Sequence, residues 1–471
     1  MYKVILKLKS LPVRTYLIIF LIIFFILFAG LAIAKHYTLR TVLYDYGLEA
    51  QVIKNTANFE FFKSGVEVDN YLGDHFSPVP ILISAIIYKI LPSDITILSL
   101  QVLLIILGLI GFYKLANLKL GNPKLSLVLT IVLALAPGVQ GVLLYDYHPI
   151  VYAFPFLIWA IYFNEKNNYK YSILLFLLAC LVKEDVGIFV GLFGIVSLLN
   201  KNRIGLVYAF IGFGITTLAI QFLIPAIRLA LSDTLMRYSY FGNSFSEIVS
   251  NILLKPLNTL EFLFTPGRLL YLFKLTFSVL FLPFIRLKEF IILFLPLFLI
   301  NALSAEYMQF GASVHYDVPT TVAIFYILIL SIKYIFELKR FDKIKLTKWL
   351  MIGMIVTLLL YLPFSKYFRE LSFTNLSNYS SYLEITKVKE MLPKDKIMSV
   401  THDIGGQFSD YSNLQLFNKD WLSYKVRPNY IVIYKTTVNV EPLEIFKSTW
   451  NNKKVFYESD KFIVFKITGT N

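Results

Sequence analysis

Long apolar runs rich in Leu, Ile and Phe alternate with short polar connectors along most of the chain. About 20 apolar residues cross a bilayer as an α-helix, so each run is a candidate transmembrane helix. The first run is too long for the core of a signal peptide and is expected to remain as a span. The pattern predicts a polytopic α-helical membrane protein with about 11 transmembrane helices. The expected spans are 16–34, 95–113, 125–144, 149–163, 171–182, 186–199, 204–224, 268–285, 289–303, 317–336 and 347–363.

The first loop, residues 35–94, is expected to lie on the outer face of the membrane. It contains a shorter apolar piece at residues 79–92, about a dozen residues between prolines. This length suits a re-entrant or interfacial helix better than a crossing. The sequence therefore predicts such a helix within the first loop.

Composition and charge support this topology. Hydrophobic residues make up 57 % of the 471 residues, charged residues 16 %, and the mean hydropathy is +0.66. If residues 79–92 do not cross, the basic connectors fall on one side, as the positive-inside rule requires. We therefore expect a multi-pass protein of the plasma membrane with a cytoplasmic N-terminus. The net charge of +15 is then mostly topological, so the bilayer is the expected partner and nucleic acid is not. The basic connectors are 114–124, 166–170, 201–203, 286–288 and 333–348.

Hydropathy falls after the last apolar run and divides the chain into two predicted domains. Residues 1–363 are expected to form the transmembrane domain. Residues 364–471 contain an amphipathic helical pattern, an apolar strand at 431–437 and a hairpin pattern at 455–468. We predict that they form a small soluble extracytoplasmic α/β domain.

Polar clusters stand at the predicted outer ends of several spans, where ionisable groups are costly unless paired or functional. Carboxylates there could take a proton from a hydroxyl, and lysine or arginine could neutralise a phosphate leaving group. Such a set suits a phosphorylated, lipid-linked substrate. The clusters are Asp45 and Glu49 in LYDYGLEAQ, His75 in DHFSP, Asp146 and His148 in YDYHP, Lys183, Glu184 and Asp185 in LVKEDVG, Arg268 in TPGRLL, and His315, Tyr316 and Asp317 in VHYDVP.

Each cluster also has a structural explanation, which the sequence leaves open. Asp45 could cap a loop helix, and His75 and His148 could fix the start of a helix. Lys183, Glu184 and Asp185 could form a salt-bridged turn. Arg268 could extend its aliphatic side chain so that the guanidinium group lies among the lipid headgroups.

The ordered motifs YDYGLEAQ, GDHFSP, GVLLYDYHP, LVKEDVG and VHYDVP resemble the prokaryotic predicted-membrane-protein family called domain of unknown function 2079. The resemblance covers about residues 40–335 and extends to the C-terminal stretch MSVTHDIGGQF. That family is similar in plan to the GT-C superfamily of membrane glycosyltransferases, which use polyprenyl-phosphate sugars on the outer face. The resemblance implies an acidic base or metal ligand in the first outer loop, matching Asp45, and a second acidic motif, matching Asp146. Many relatives carry paired acidic residues in the first loop, whereas Tyr46 and Gly47 follow Asp45 here.

The resemblance implies a GT-C-type glycosyltransferase that moves a sugar from a polyprenyl-phosphate donor to an envelope glycan, lipid or protein. Asp45 is the expected catalytic base, and the other residues of the clusters are expected to bind substrate. If Mg²⁺ or Mn²⁺ takes part, Asp45, Asp146 and His148 are its expected ligands. A transporter or flippase of a lipid-linked or anionic solute is the main alternative, and a non-catalytic envelope protein is another. Charges at span ends and the absence of a sequence repeat favour the enzyme.

Overall fold

The computed structural model describes residues 11–66, 69–228, 233–312, 314–338, 342–366, 370, 378–417, 426–436 and 453–468. The described chain is mainly helical, with one small sheet near its C-terminal end. The helices are α1 (Val13–Tyr37), α2 (Leu48–Ala57), α3 (Pro78–Ile90), α4 (Asp94–Leu120), α5 (Pro123–Ala134), α6 (Pro137–Leu144), α7 (Ala153–Glu165), α8 (Tyr169–Cys180), α9 (Val186–Leu199), α10 (Gly205–Leu218), α11 (Ile224–Arg228), α12 (Phe245–Leu254), α13 (Pro256–Leu263), α14 (Pro266–Phe277), α15 (Leu287–Glu289), α16 (Leu295–Ala302), α17 (Val318–Glu337), α18 (Lys343–Tyr361) and α19 (Tyr379–Met391).

Several helices are long and apolar enough to cross a membrane. Within the described ranges there are five, or six if the pair α5 and α6, which bends by 50°, counts as one span. Helices α3, α8 and α9 are apolar but shorter. The prediction of a polytopic helical membrane protein is confirmed, whereas the count of about 11 spans stays a prediction. The five helices are Val13–Tyr37, Asp94–Leu120, Gly205–Arg228, His315–Glu337 and Lys343–Tyr361.

The first span shows how one helix divides its surface. Leu17, Leu21, Phe24 and Phe28 are buried and recur every three or four residues, which places them on one face of α1. Ile26, on another face, is 66 % exposed although it is apolar. An apolar exposed face is what contact with lipid tails requires, so α1 packs on the bundle through one stripe only.

Helices α9 and α10 pack closely because glycines line their contact. A Cβ atom on Gly194 would lie 2.4 Å from the backbone nitrogen of Ala209, and one on Gly212 would lie 2.3 Å from that of Gly191. Small residues of this kind let two helix backbones approach each other in a membrane. The pair holds the turn that precedes α9, which carries Lys183, Glu184 and Asp185.

The first loop begins with an irregular turn and contains two helices. Residues Leu43–Gly47 form one π-helical turn, which continues into α2. Helix α3 then begins with Pro78, a favoured residue in a first helical turn, and corresponds to the short apolar helix predicted at residues 79–92. Every residue of α2 is buried, because the helix lies between the bundle and the C-terminal segment.

The C-terminal sheet has five strands in the order β2-β1-β3-β5-β4. Strand β1 is parallel to β2 and β3, and β5 is antiparallel to β3 and β4. The predicted strand at 431–437 and the predicted hairpin correspond to β3 and to the β4–β5 pair. The sheet core also includes Leu39 and Leu43 of the first loop, which ties the sheet to the Asp45 turn. The strands are β1 (Met398–Val400), β2 (Leu414–Leu416), β3 (Tyr430–Tyr434), β4 (Lys453–Glu458) and β5 (Phe462–Ile467).

Candidate active site

We call the end of the bundle that carries the first loop and the C-terminal sheet the loop side. Four polar turns meet there, after α1, before α3, after α6 and before α9, together with the short helical turn His315–Asp317 that precedes α17. Most of the residues singled out in the sequence belong to these turns. They form one connected group that includes Asp45.

Asp45 lies in the π-helical turn and accepts a hydrogen bond from the Tyr145 hydroxyl, 2.9 Å from Oδ2. The ammonium groups of Lys35 and Lys366 lie 5.5 and 5.0 Å from the centre of the Tyr145 ring. Burial and then the negative charge of Asp146 raise the pKa of Asp45 to about 6, while the Tyr145 hydrogen bond and the two lysines oppose that rise. A carboxylate with a pKa in this range suits a general base near neutral pH.

Asp146 has both carboxylate oxygens engaged. Oδ1 accepts from Lys35 Nζ at 2.6 Å, and Oδ2 accepts from the backbone N–H of Val42 at 2.8 Å. The side chain is almost fully buried. These contacts tie the end of α1 and the start of the Asp45 turn to the end of α6, so Asp146 anchors the loop that carries Asp45.

Three of the five histidines stand in a row beside this carboxylate pair. The rings of His148 and His315 are stacked, with centroids 3.7 Å apart and an interplanar angle of 13°. His75 lies 6.0 Å from His148, and Tyr145 lies 5.9 Å from His315, measured between ring centroids. Burial, followed by the neighbouring His315, lowers the pKa of His148 well below its usual value, so His148 is neutral. The buried Nδ1 of His315 has no hydrogen-bond partner.

Glu49 lies one helical turn after Asp45 and faces the histidine row. Its Oε1 accepts from the Tyr71 hydroxyl at 2.7 Å and lies 3.7 Å from His148 Nε2. Its Oε2 is buried and has no hydrogen-bond partner in the described part of the chain. Burial raises the pKa of Glu49 to about 8 despite the Tyr71 hydrogen bond, so the group is mostly protonated at neutral pH and can donate a proton.

His75 and Glu184 connect the first loop to the turn before α9. His75 Nδ1 lies 3.2 Å from Glu184 Oε1, and the backbone N–H of Phe76 donates to Oε2 at 3.0 Å. Burial opposes the charge on His75, but the carboxylates of Asp74 and Glu184 raise its pKa to about 9. His75 is therefore an imidazolium at neutral pH.

Two cations flank the Tyr316 ring next to the histidine row. Lys183 Nζ lies 5.4 Å from the ring centroid, and the Arg237 guanidinium carbon lies 5.5 Å from it. Lys183 is only 5 % exposed, yet it makes no hydrogen bond or ion pair within 4.0 Å with any other residue in the described ranges. The neighbouring Asp185 has a buried Oδ1 without a partner. A buried ammonium group with spare donors is suited to binding a phosphate.

Arg268 and Asp317 lie outside this connected group. Arg268 donates to the carbonyl oxygens of Ala302 and Ser304 at 2.5 and 2.9 Å. Asp317 accepts from Tyr271 and from Asn301, the latter at 3.2 Å. These contacts hold neighbouring segments together, and a substrate-binding role for either residue stays a prediction of the sequence.

Several residues of the site were not among those singled out from the sequence. Tyr145 directly precedes Asp146 in the YDYHP motif, so the motif itself was the available signal. Lys35 and Tyr71 flank apolar or aromatic stretches, where lysine and tyrosine are common at membrane interfaces. Arg237 lies in a polar connector without a recognisable pattern, and only the fold brings it to Tyr316.

The residues present do not form a metal site as they stand. Within the described ranges, no group of three or more His, Cys, Asp or Glu side chains could hold a metal ion. Of the predicted ligands, Asp146 is engaged by Lys35 and Val42, and His148 stacks on His315. The donor set therefore gives the metal no support, and a cation at Asp45, Asp146 and His148 stays a prediction of the sequence.

The fold is that of a polytopic helical membrane protein with a small C-terminal sheet. The profile of the family described as "Predicted membrane protein (DUF2079)" matches residues 35–407, and the chain belongs to this family. ArnT from Cupriavidus metallidurans, a GT-C glycosyltransferase, has a similar fold. Its crystal structure bound to undecaprenyl phosphate aligns with a TM-score of 0.55 at 10 % identity, covering 97 % of this chain and 99 % of that chain.

The crystal structure of the same ArnT in the apo state aligns with a TM-score of 0.51 at 10 % identity, covering 95 % of this chain and 99 % of that chain. No curated protein matches the chain in sequence. At this low identity, the structural similarity shows the fold alone.

Proposed function

We propose that the protein is a GT-C-type glycosyltransferase that moves a sugar from a polyprenyl-phosphate donor to a cell-envelope acceptor at its extracytoplasmic face. The observation that carries the proposal is the pairing of Asp45, whose pKa is about 6, with a cationic group at the other end of one connected site. ArnT, a neighbour with the same fold, has been crystallised with undecaprenyl phosphate.

In the proposed reaction, Asp45 accepts the proton of an acceptor hydroxyl as that oxygen attacks the anomeric carbon of the donor sugar. The bond between this carbon and the phosphate oxygen breaks, and polyprenyl phosphate leaves with the electron pair. Negative charge grows on the phosphate during this step, and preorganised cations stabilise it. Lys183 and Arg237 supply fixed positive charge, and the His75 imidazolium adds a third.

Tyr145 and Glu49 have supporting roles in this proposal. The Tyr145 hydroxyl orients the Asp45 carboxylate and leaves its other oxygen for the acceptor. Glu49 is mostly protonated and has an unpartnered oxygen, so it can donate a hydrogen bond to a sugar hydroxyl or a phosphate oxygen.

The test is a transfer assay with the full chain in proteoliposomes, supplied with labelled polyprenyl-phosphate sugars and an envelope extract as the source of acceptor. Release of polyprenyl phosphate and label in the extract are both measured. We expect Asp45→Asn to reduce transfer by about a hundredfold or more, because a general base contributes at least this factor. The matched control is Glu337→Gln, an exposed carboxylate paired with Lys333, which should keep wild-type transfer. Full activity of Asp45→Asn would contradict the proposal.

A further inference from the structure

A short turn of the C-terminal segment packs directly against the residues around Asp45. We call residues Ile404–Gln407 the IGGQ turn; it lies within the 3-10 helix His402–Phe408. A Cβ atom on Gly405 would lie 2.3 Å from the Cβ of Leu43, and one on Gly406 would lie 2.5 Å from Thr41 Oγ1. Real Cβ atoms do not approach other atoms this closely, so the contact requires glycine at both positions.

The end of the IGGQ turn is hydrogen-bonded to the end of the first span. Gln407 Nε2 donates to the carbonyl oxygen of His36 at 2.9 Å. His36 Nδ1 in turn lies 3.0 Å from Thr41 Oγ1. Through His36, the IGGQ turn is therefore linked to the segment that leads to Asp45. Gln407 and His36 are both buried, so these polar contacts are shielded from water.

The residues after the IGGQ turn hold the helix that follows Asp45. Lys54 of α2 donates to Ser409 Oγ at 2.8 Å and to Asp94 Oδ1 at 2.6 Å. Gln51, also on α2, donates to the carbonyl oxygen of Tyr411 at 2.8 Å. Helix α2 is therefore fixed on the bundle by one of these contacts and on the C-terminal segment by the other two.

The Asp45 segment is thus held from two sides. Asp146 accepts the N–H of Val42 on the bundle side, and the IGGQ turn covers Leu43 on the other. Leu43 is fully buried in one apolar cluster with Ile404 and Phe408. The π-helical turn Leu43–Gly47 is thus enclosed by the bundle on one side and by the IGGQ turn on the other.

We propose that the IGGQ turn is a positioning element for Asp45, which it sets in place through the backbone of residues 41–47. The expected effect on turnover rests on the proposed function. The expected effect on the geometry of residues 41–47 rests on packing alone. The C-terminal domain then has a defined role in the site without touching the reacting atoms. The orientation of the Asp45 carboxylate depends on the IGGQ turn.

The test compares Gly405→Ala with Gly30→Ala, a control glycine of the first span that has nothing within 4 Å of an added Cβ. Hydrogen–deuterium exchange of residues 38–50 should become faster in Gly405→Ala and stay unchanged in Gly30→Ala. The turnover number for a polyprenyl-phosphate sugar should fall by about a hundredfold, the cost of a misplacement near 1 Å. The KM for the donor should change by less than about twofold, because Lys183 and Arg237 are untouched.

The pH profile separates positioning from a general loss of folded protein. A loosened segment exposes Asp45 to water, which removes the burial that raises its pKa. Residual activity of Gly405→Ala should therefore extend to lower pH than that of the wild type, whereas partial unfolding would scale the whole profile. The charged groups that also act on Asp45 are Asp146, Lys35 and Lys366, and none of them is altered.

If Gly405→Ala does not fold, Gln407→Leu decides, because it removes the bond to His36 at similar volume. Unchanged exchange of residues 38–50 in the folded variant, or faster exchange with unchanged turnover, would overturn the inference. If the wild type turns over no polyprenyl-phosphate sugar, the proposed function fails. In that case faster exchange in Gly405→Ala would still support the structural part of the inference.

Discussion

The two ends of the helical bundle both carry charged groups but differ in how these groups are paired. At the end opposite the loop side, Glu165 accepts from Lys119 and, at 2.7 Å, from Tyr326. Arg286 pairs with Glu289 through two hydrogen bonds of 2.5 and 3.1 Å. A cavity of about 260 Å³ is lined by Lys119, Glu165, Arg286 and Tyr326, among others. Within the described ranges, no ionisable group at this end has a buried polar atom without a partner.

The loop side differs because its charges are incompletely matched. Glu49 Oε2, Asp185 Oδ1 and His315 Nδ1 are buried and have no hydrogen-bond partner among the residues that the structure describes. Leaving such atoms unpaired costs free energy, and proteins retain such a cost mainly where a ligand or a reaction uses it. Unmatched buried groups, rather than the number of charges, therefore distinguish the loop side from the opposite end and make it the candidate substrate site.

The largest effect that would sharpen this contrast is expected for Lys183→Ala. A thermal-shift titration of the full chain with a short polyprenyl phosphate should show saturable stabilisation of the wild type. We expect Lys183→Ala to weaken binding by about ten- to hundredfold, since a charge-assisted hydrogen bond contributes about 1.5–3 kcal/mol. Lys288→Ala, a largely exposed lysine at the opposite end, is the control and should bind as the wild type does. Equal weakening by both variants would remove the difference between the two ends.

The opposite end should respond in stability and not in binding. Glu165→Gln removes the negative charge of the carboxylate that accepts hydrogen bonds from Lys119 and Tyr326. The side chains of Lys119 and Glu165 are only 16 % and 14 % exposed. Breaking a buried pair leaves an uncompensated charge, and we expect a loss of about 2 kcal/mol in unfolding free energy. Chemical denaturation measures the loss, and the titration above should give an unchanged affinity for polyprenyl phosphate. A stable variant with weakened binding would reverse the assignment of the two ends.

A smaller effect is expected in the dependence of stability on pH. The pKa of His75 rises from 6.5 to about 9 in the folded state because of Asp74 and Glu184, despite its burial. A raised pKa stabilises the fold fully below pH 6.5, and this contribution is lost as the pH rises through 9. The melting temperature should therefore fall between these values, and His75→Gln should flatten that part of the profile by about 1–2 kcal/mol. An identical profile in the variant would contradict the assigned pair.

The smallest effect is a shift in the pH dependence of turnover. Transfer should decline as the pH falls through about 6, where Asp45 becomes protonated. Tyr145→Phe removes a hydrogen bond that lowers this pKa but keeps the aromatic ring, so the acidic limb should move upward by less than about one pH unit. A series of turnover numbers from pH 5 to 8 measures it. A downward shift would mean that the Tyr145 hydroxyl does not act on Asp45 as described.

Much of the fold could be predicted because hydrophobic periodicity follows directly from burial. Apolar runs marked the spans, and alternation marked the hairpin of β4 and β5. The sequence predicts His75, His148 and His315 on one side of the membrane, and the structure brings the three rings together. For the apolar helices, for the hairpin and for these three histidines, the local sequence pattern was enough to predict where the residues lie in the fold.

The remaining features depend on contacts between distant segments, which no local pattern encodes. Arg268 is held by the carbonyl oxygens of residues 302 and 304, so its backbone contacts are invisible in the sequence. The need for glycine at position 405 becomes visible only in the fold, because the contact is with Leu43, far away in the sequence. The same holds for Arg237, which reaches Tyr316 only through the fold.

The proposed function requires that the loop side, and not the opposite end, binds the polyprenyl phosphate. A polyprenyl phosphate with a photoreactive group next to its phosphate tests this claim directly, with cross-linked peptides of the full chain mapped by mass spectrometry. The account predicts labelling around Lys183 or Tyr316 that unlabelled polyprenyl phosphate competes away and that Lys183→Ala reduces. Competed labelling around Lys119 or Arg286 instead would contradict it.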